Sequence, residues 1–551
     1  MVPDSGLLGL LPEGLRDRWA AHMPVLGSAI PYVRASYPEA DDADPAAEAS
    51  ATQRAAVALQ EFQGALLELR GAGLPTTVAQ ALHRTYVNGA ITHLLRGQLL
   101  EPDWCDLWDY HVERCWASLL YGEEELAAWQ RSRLHLPLAS ELGGCGVESA
   151  RWRREAAFLG SWHLCLGAVA AVLRFTSADQ FLAAAARSVR APVDEAASIV
   201  RQLVPGYSFE VAVLFEEPDA KRQSELMEAV HAAKEEELVA ELRRVDPTGA
   251  LLAAAYSSGG EHAGDFLLPP LPGSPGDQVL MMPEDECVAA LRARLCVPYP
   301  SFLPRFRRVR GPAQQCNHQY SKGSAVCGQC LVLADGSADA AMVHAQLCNV
   351  GGGVDRRHNT LRDWLKRWLV TVCHVPWADT EQHVAEWDRW VPAKCPITGA
   401  QRFRTVRTAD GGTVQEPVRE LEQARLDVGF RDEEGSLGYV DVAYANACSL
   451  GDPATTLARA RTAGKAAGER EEEKRRRYPP ALNPHVELIP FVVEARGRLG
   501  AEVMPFLRQH APADPALRSA VLARATREIS ILTQRGLAAL LLAAEPRPAA
   551  A

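Results

Sequence analysis

Through most of the first 300 residues, apolar positions recur at helical spacing in Ala- and Leu-rich stretches, which predicts a mostly α-helical N-terminal half. Gln53 to Arg70 places Ala56, Leu59, Phe62, Leu66 and Leu69 on one stripe, and Lys221 to Val245 predicts another helix with a solvated, acid-rich face. Residues 355 to 372 carry the strongest period, with Leu361, Trp364, Leu365, Trp368 and Leu369 on one side and Arg362, Lys366 and Arg367 on the other. From Ala424 the period shortens to two. Ala424 to Phe430 and Leu437 to Tyr444 predict two strands joined by the acidic, Gly-bearing turn Asp432 to Gly435. A long polar helix from Asp452 to Tyr478 and a third strand from Val486 to Val493 complete a small α/β core.

Composition punctuates this pattern. Glu39 to Ala51 is acidic and Ala-rich, so residues 1–50 read as a flexible N-terminal segment. Pro269 to Gly276 reads as a linker, and residues 300–350 are turn-rich and carry clustered Cys and His. The expected organisation is therefore a helical region at 51–268, a linker at 269–299 and a Cys/His knuckle at 300–354. An α/β domain at 355–510 and a C-terminal helix and tail at 511–551 follow. The fold class expected is α+β overall. No run of eighteen apolar residues occurs, which predicts an intracellular chain without a membrane partner.

Thirteen cysteines, an odd number, are scattered except around residues 316–348, where Cys and His read as metal ligands in a reducing compartment. Cys327, Cys330, His344 and Cys348 offer four Zn²⁺ ligands, with Cys316 and His318 as further candidates. Asp427 and Asp441 lie fourteen positions apart on the two predicted hairpin strands, where a tight turn brings them side by side. Two adjacent carboxylates repel unless a cation sits between them, and Mg²⁺ suits an oxygen-only site. Such a site calls for a lysine near the attacked phosphate. Ala443 stands two residues after the second acid, leaving Lys465 and Lys474 on the following helix as candidates. Taken alone, the two acids are equally what a solvated β-turn would carry.

Net charge is −11, which argues mildly against a nucleic-acid partner, but the positive charge is clustered. Arg305 to Arg310 is one cluster. The helix face with Arg362 and Lys366, preceded by Arg357 and His358, is a second, and Lys474 to Arg477, including Arg475 and Arg477, is a third. Each serves equally as a solvated surface or as phosphate contacts along DNA.

The order of these motifs resembles the C-terminal region of non-long-terminal-repeat retrotransposon proteins that carry a restriction-like endonuclease. The likeness rests on Cys327 to Cys348, Arg357-His358-Asn359, Asp427, Asp441-Val442 and Glu473 to Tyr478, with Leu136 to Val147 and Ala156 to Trp162 upstream. The resemblance implies thumb-like helices, a zinc knuckle and a restriction-endonuclease-like core that nicks DNA with Mg²⁺ to prime reverse transcription. It also implies a nuclear location, with element RNA as a further partner. Catalysis would fall to Asp427, Asp441 and Lys474, with Lys465 in reserve. No Tyr-x-Asp-Asp polymerase signature is present, so no DNA synthesis is expected. Leu426 stands where the family has Pro, and Ala443 departs too, which leaves an inactive nucleic-acid-binding module or a decayed fragment as the alternative. Oligomeric state is left open.

Overall fold

The computed structural model describes residues 22–25, 28–31, 45–120, 132–172, 180, 183, 187–204, 222–268, 282–297, 316, 318–320, 326–329, 341–394, 400–407, 412–432, 434–450 and 452–544. The fold is mixed α+β, with helices N-terminal and sheets C-terminal. Among the described residues, no helix is long and apolar enough to cross a membrane.

The N-terminal half stacks helices α1 (Pro45–Gly71), α2 (Thr76–Ala90), α3 (Pro102–Leu119), α4 (Ala150–Val172) and α5 (Arg222–Val245). Of the stripe predicted on α1, Leu59 and Leu66 are buried, whereas Leu69 is exposed at its C-terminal end. Asp109 on α3 supplies the N-terminal cap of α4, accepting from Ser149 Oγ, Ala150 N at 2.7 Å and Arg151 N at 3.2 Å. Residues 284–294, expected within a linker, are instead a buried helix, α6 (Glu284–Arg294). Its Cys287, Val288, Ala290 and Leu291 join the N-terminal core, so the apolar content after the Pro-rich stretch outweighs the linker composition.

The C-terminal part is built on α7 (Gly353–Thr371) and a four-stranded sheet of β1 (Trp377–His383), β2 (Arg425–Arg431), β3 (Leu437–Ala445) and β4 (Glu487–Glu494). The spatial order is β4-β3-β2-β1. The first three strands are antiparallel neighbours and β4 runs parallel to β3. Leu361, Trp364, Leu365, Trp368 and Leu369 of α7 pack on one sheet face with Val428, Phe430, Val440 and Val442. The crossover from β3 to β4 is not the single helix expected from Asp452 to Tyr478. Asp452 caps a first helix, Pro453–Arg459, and the chain turns at residues 460–464. Gly464, at φ 79°, then starts α8 (Lys465–Arg477). Polar periodicity continues across this break, which only the glycine marks.

Helix α9 (Val503–His510) covers the α7 face of the sheet, and α10 (Pro515–Ala544) ties the halves together. Ala525 and Ile529 of α10 enter the sheet core, while Ile531, Leu537 and Leu541 enter the N-terminal core. A further shared core joins Leu138, Leu251 and Ala254 to Ala443, Ala466 and Val492. The boundaries read from composition therefore do not separate independent cores.

Buried arginines satisfy backbone carbonyls, two of them within the helical half and Arg496 across to the segment before α7. Arg294 reaches Ser258 O at 2.7 Å and Gly144 O at 2.8 Å, Arg292 reaches Leu120 O at 3.0 Å, and Arg496 reaches Ala341 O at 2.6 Å.

Candidate metal and carboxylate sites

Two polar clusters lie on either side of the start of α7. In the first, backbone bonds from Cys316 N to Gln329 O (2.7 Å) and from Cys327 N to His318 O (2.9 Å) pair two short arms, with Gly328 at φ 69°. This pairing sets Cys316 beside Cys327. The short helix Val343–Leu347 then presents His344, with Cys348 one turn later at its cap. Ligand atoms of Cys316, Cys327, His344 and Cys348 all fall within 4.8 Å of one another. This Cys₃His set can hold a metal ion such as zinc. Cys316 thus completes the set, while Cys330 lies outside the described residues. His318 Nδ1 is 3.0 Å from Cys316 Sγ, oriented to support a thiolate rather than to join the four. Burial pushes the Cys316 and Cys348 thiols upward, so a bound cation is what would ionise them.

Gly351 and Gly352, at φ 84° and 64°, turn the chain from Cys348 into α7, which brings His358 to the second cluster. Pairing between β2 and β3 ends at Val428↔Val440. Beyond that point the strands part, and Asp427 fills the gap by accepting Val442 N at Oδ2 (2.8 Å). On its other side, the pairing of β1 with β2 skips Glu381 (φ 57°), which stands opposite Asp427 between the Thr380↔Val428 and Gln382↔Leu426 pairs. Asp427 Oδ1 meets His358 Nε2 at 2.8 Å, and Lys474 Nζ of α8 lies 2.8 Å from Asp441 Oδ2. That oxygen is buried and receives no aligned hydrogen bond.

Burial opposes ionisation at both acids, but they diverge. The His358 hydrogen bond leads the effects that hold Asp427 below its ordinary value, whereas burial, with Asp427 alongside, pushes Asp441 up to about 7 despite Lys474. Asp427 and Asp441 thus offer neighbouring carboxyl oxygens, with Lys474 already beside Asp441.

Of the remaining predicted residues, Lys465 is exposed at the first turn of α8 and stands nine positions, about 13 Å, before Lys474. It does not reach the acids. Arg357 is buried, 6% exposed, with its guanidinium 4.2 Å from the Tyr444 ring centre, so it packs the α7–sheet junction and cannot meet a phosphate there. Arg362 pairs with Glu381, Lys366 with Asp379 at 2.8 Å, and Arg475 with Glu502 at 2.5 Å. Arg477 donates to Trp387 O at 2.7 Å. The basic clusters thus spend much of their charge inside the protein. Arg305 to Arg310 lie outside the described residues. Sequence reading set His358 among phosphate contacts; its place against Asp427 had no signal beyond adjacency to Arg357.

No known protein family matches the chain, and no curated protein does.

Proposed function

We propose that the sheet-bearing region is a restriction-like, Mg²⁺-dependent DNA endonuclease from the C-terminal part of a retrotransposon reverse transcriptase protein, acting in the nucleus. The convergence of Asp427, Asp441 and Lys474 at the parting of β2 and β3 carries this reading. The succession of one helix, three antiparallel strands, a two-helix crossover and a parallel fourth strand supports it.

Asp427 and Asp441 would hold the cation, which when bound supplies charge for a phosphodiester oxygen and a more acidic water. His358 fixes the orientation of Asp427 through its 2.8 Å bond. Lys474 neutralises Asp441 in the resting site and, once that carboxylate turns to a cation, is free to face the phosphate. The water oxygen attacks phosphorus, the P–O3′ bond breaks and the strand is left with a 3′ hydroxyl, the group that primes element RNA copying in the resembled family. The test is nicking of supercoiled plasmid by the purified chain in Mg²⁺, against EDTA and the Asp427→Asn and Asp441→Asn variants. Equal cutting by parent and variants would overturn the assignment.

A second reading, a binding module that grips DNA without cutting, is favoured by one observation. Lys474 and His358 already occupy an oxygen of each acid, and Ala443 leaves the usual lysine position empty of charge. Salt-sensitive binding with no metal-dependent nicking would establish it.

A further inference from the structure

Between β1 and β2 the chain makes a long excursion. Arg389–Pro392 pairs with Arg419–Glu422, and Phe403–Arg407 pairs with Thr413–Pro417, both antiparallel. Three backbone bonds stitch the pairs into one ribbon: Ala393 N to Val418 O at 2.7 Å, Arg402 N to Ala393 O at 2.8 Å and Val418 N to Arg402 O at 2.9 Å. We propose that this two-stranded ribbon is the arm by which the protein engages duplex DNA, laid in a groove with Arg402, Arg407 and Arg419 on the phosphates. The proposal deepens the nuclease reading by naming how its substrate is held.

Four observations carry it. The ribbon is exposed on both faces: every residue of Thr413–Pro417 is exposed, as are Phe403, Arg404, Thr405 and Arg407. A ribbon packed on the body would bury one face in alternation, and this one does not. Its size fits, because five residues per strand span about 17 Å and a major groove admits a two-stranded ribbon.

Three of its arginines, Arg402, Arg407 and Arg419, are exposed. Among the described residues, no ion pair involves Arg402, Arg407 or Arg419, whereas Arg362, Lys366 and Arg475 each pair with an acid. Two of the ribbon's acids face its other arginines, Glu422 against Arg389 at 2.8 Å and Glu416 against Arg404 at 3.2 Å, while Glu420 is exposed beside Arg419. Trp390 and Phe403, 64% and 55% exposed, add apolar surface that the protein leaves uncovered.

Finally, the root of the ribbon is fixed at the carboxylates. It leaves the sheet at the His383↔Arg425 pair, two residues before Asp427. Asp388 receives Ala424 N at 2.7 Å and faces His383 Nε2 at 2.9 Å. Trp387 Nε1 donates to Pro479 O at 3.0 Å, just past the end of the helix that carries Lys474. A duplex held along the ribbon is therefore held in register with Asp427 and Lys474.

The experiment is anisotropy titration of a 30-base-pair duplex in EDTA between 50 and 200 mM NaCl, with the parent chain and the triple variant R402Q/R407Q/R419Q. Three lost phosphate contacts should make the salt slope less negative by about 2.7 and weaken binding by at least about tenfold at 100 mM. R362Q/K366Q, whose cations are engaged inside the protein, should change the slope by less than about 0.5. Metal content and circular dichroism confirm that each variant is folded. A folded triple variant with the parent's slope and affinity overturns the proposal, as does a parent that binds no duplex. Equal slope changes and affinities on a single strand of the same length overturn the duplex assignment. A parent that binds through the ribbon but never nicks leaves the arm standing and removes the nuclease. A parent that nicks while the triple variant binds normally does the reverse.

Discussion

The two polar clusters flanking α7 are about ten residues apart in sequence, from Cys348 to His358, yet they solve the problem of buried polar atoms in opposite ways. The Cys₃His set brings four potential ligands together with no protein cation among them, its buried thiols protonated until a metal displaces their protons. The carboxyl pair has its partners built in, Lys474 on Asp441 and His358 on Asp427. The first cluster is a set of ligands that can hold a metal ion. The second is a set of acids already partnered within the protein.

The largest effect expected from this contrast is on the thiol side. Cys316→Ser or His344→Ala should release the bound metal and cost several kcal/mol, on the order of half or more of a typical domain stability, because Cys316 and Cys348 sit in the N-terminal core. Metal analysis and thermal melting read both consequences. Cys330→Ser should retain metal at parent level. If it does not, the set of four closes differently.

On the carboxyl side the same loss of a ligand should leave the fold and metal content intact and fall on activity. Asp427→Asn and Asp441→Asn should slow plasmid nicking by about a hundredfold or more, and Lys474→Met by about ten- to a hundredfold, a scale set by one lost electrostatic contact. His358→Ala should follow with a loss of about tenfold that His358→Gln partly restores, since a glutamine can still donate to Asp427.

Titration sharpens the contrast further. The folded chain keeps the Asp441 proton up to about 7, while the unfolded chain releases it near 3.8. The raised value means that the stability tied to this proton is fully present below about pH 4 and is lost as pH rises towards 7. In EDTA the loss should proceed by up to about 1.4 kcal/mol per pH unit. Asp441→Asn should flatten that slope, and Mg²⁺ should oppose it in the parent. Melting temperatures from pH 4 to 8 decide this, and a parent slope identical to that of Asp441→Asn would rule it out. The smallest effect belongs to Lys465→Ala, expected within about twofold of parent nicking, as an exposed cation about 13 Å along the helix from Lys474 contributes little through water.

How much of this could be read beforehand follows the same division. The β2–β3 hairpin was legible because Leu426, Val428 and Phe430 alternate with polar or small residues and Asp432 to Gly435 supplies a turn. Period two then places Asp427 and Asp441 on adjacent strands. Strand β1 was not legible. Trp377–His383 is an edge strand with five polar residues in seven, and it is held by pairing to β2 more than by apolar burial. The identity of the fourth ligand was open because Cys316 reaches the set through backbone pairing with Gln329, which spacing along the chain does not encode. Arg357 was misjudged for a related reason. A charged residue on an amphipathic helix reads as solvent-facing, and only Tyr444 and Gly536, close against its side chain, reveal that it is inside.

Helix α10 bears on how the molecule is made. A ribosome delivers the helical half first, the thiol cluster next and the sheet after that, and only then the segment whose Ile529 and Leu537 belong to two different cores. Until residues 515–544 emerge, Ala263 O lacks Ser530 and Arg496 O lacks Gln534. Vectorial synthesis therefore leaves apolar seams open for as long as some 280 codons after α5 take to translate, roughly 15 to 60 s at ordinary elongation rates. Among the described residues, the seam between the helical and sheet-bearing cores is therefore closed only when α10 is made.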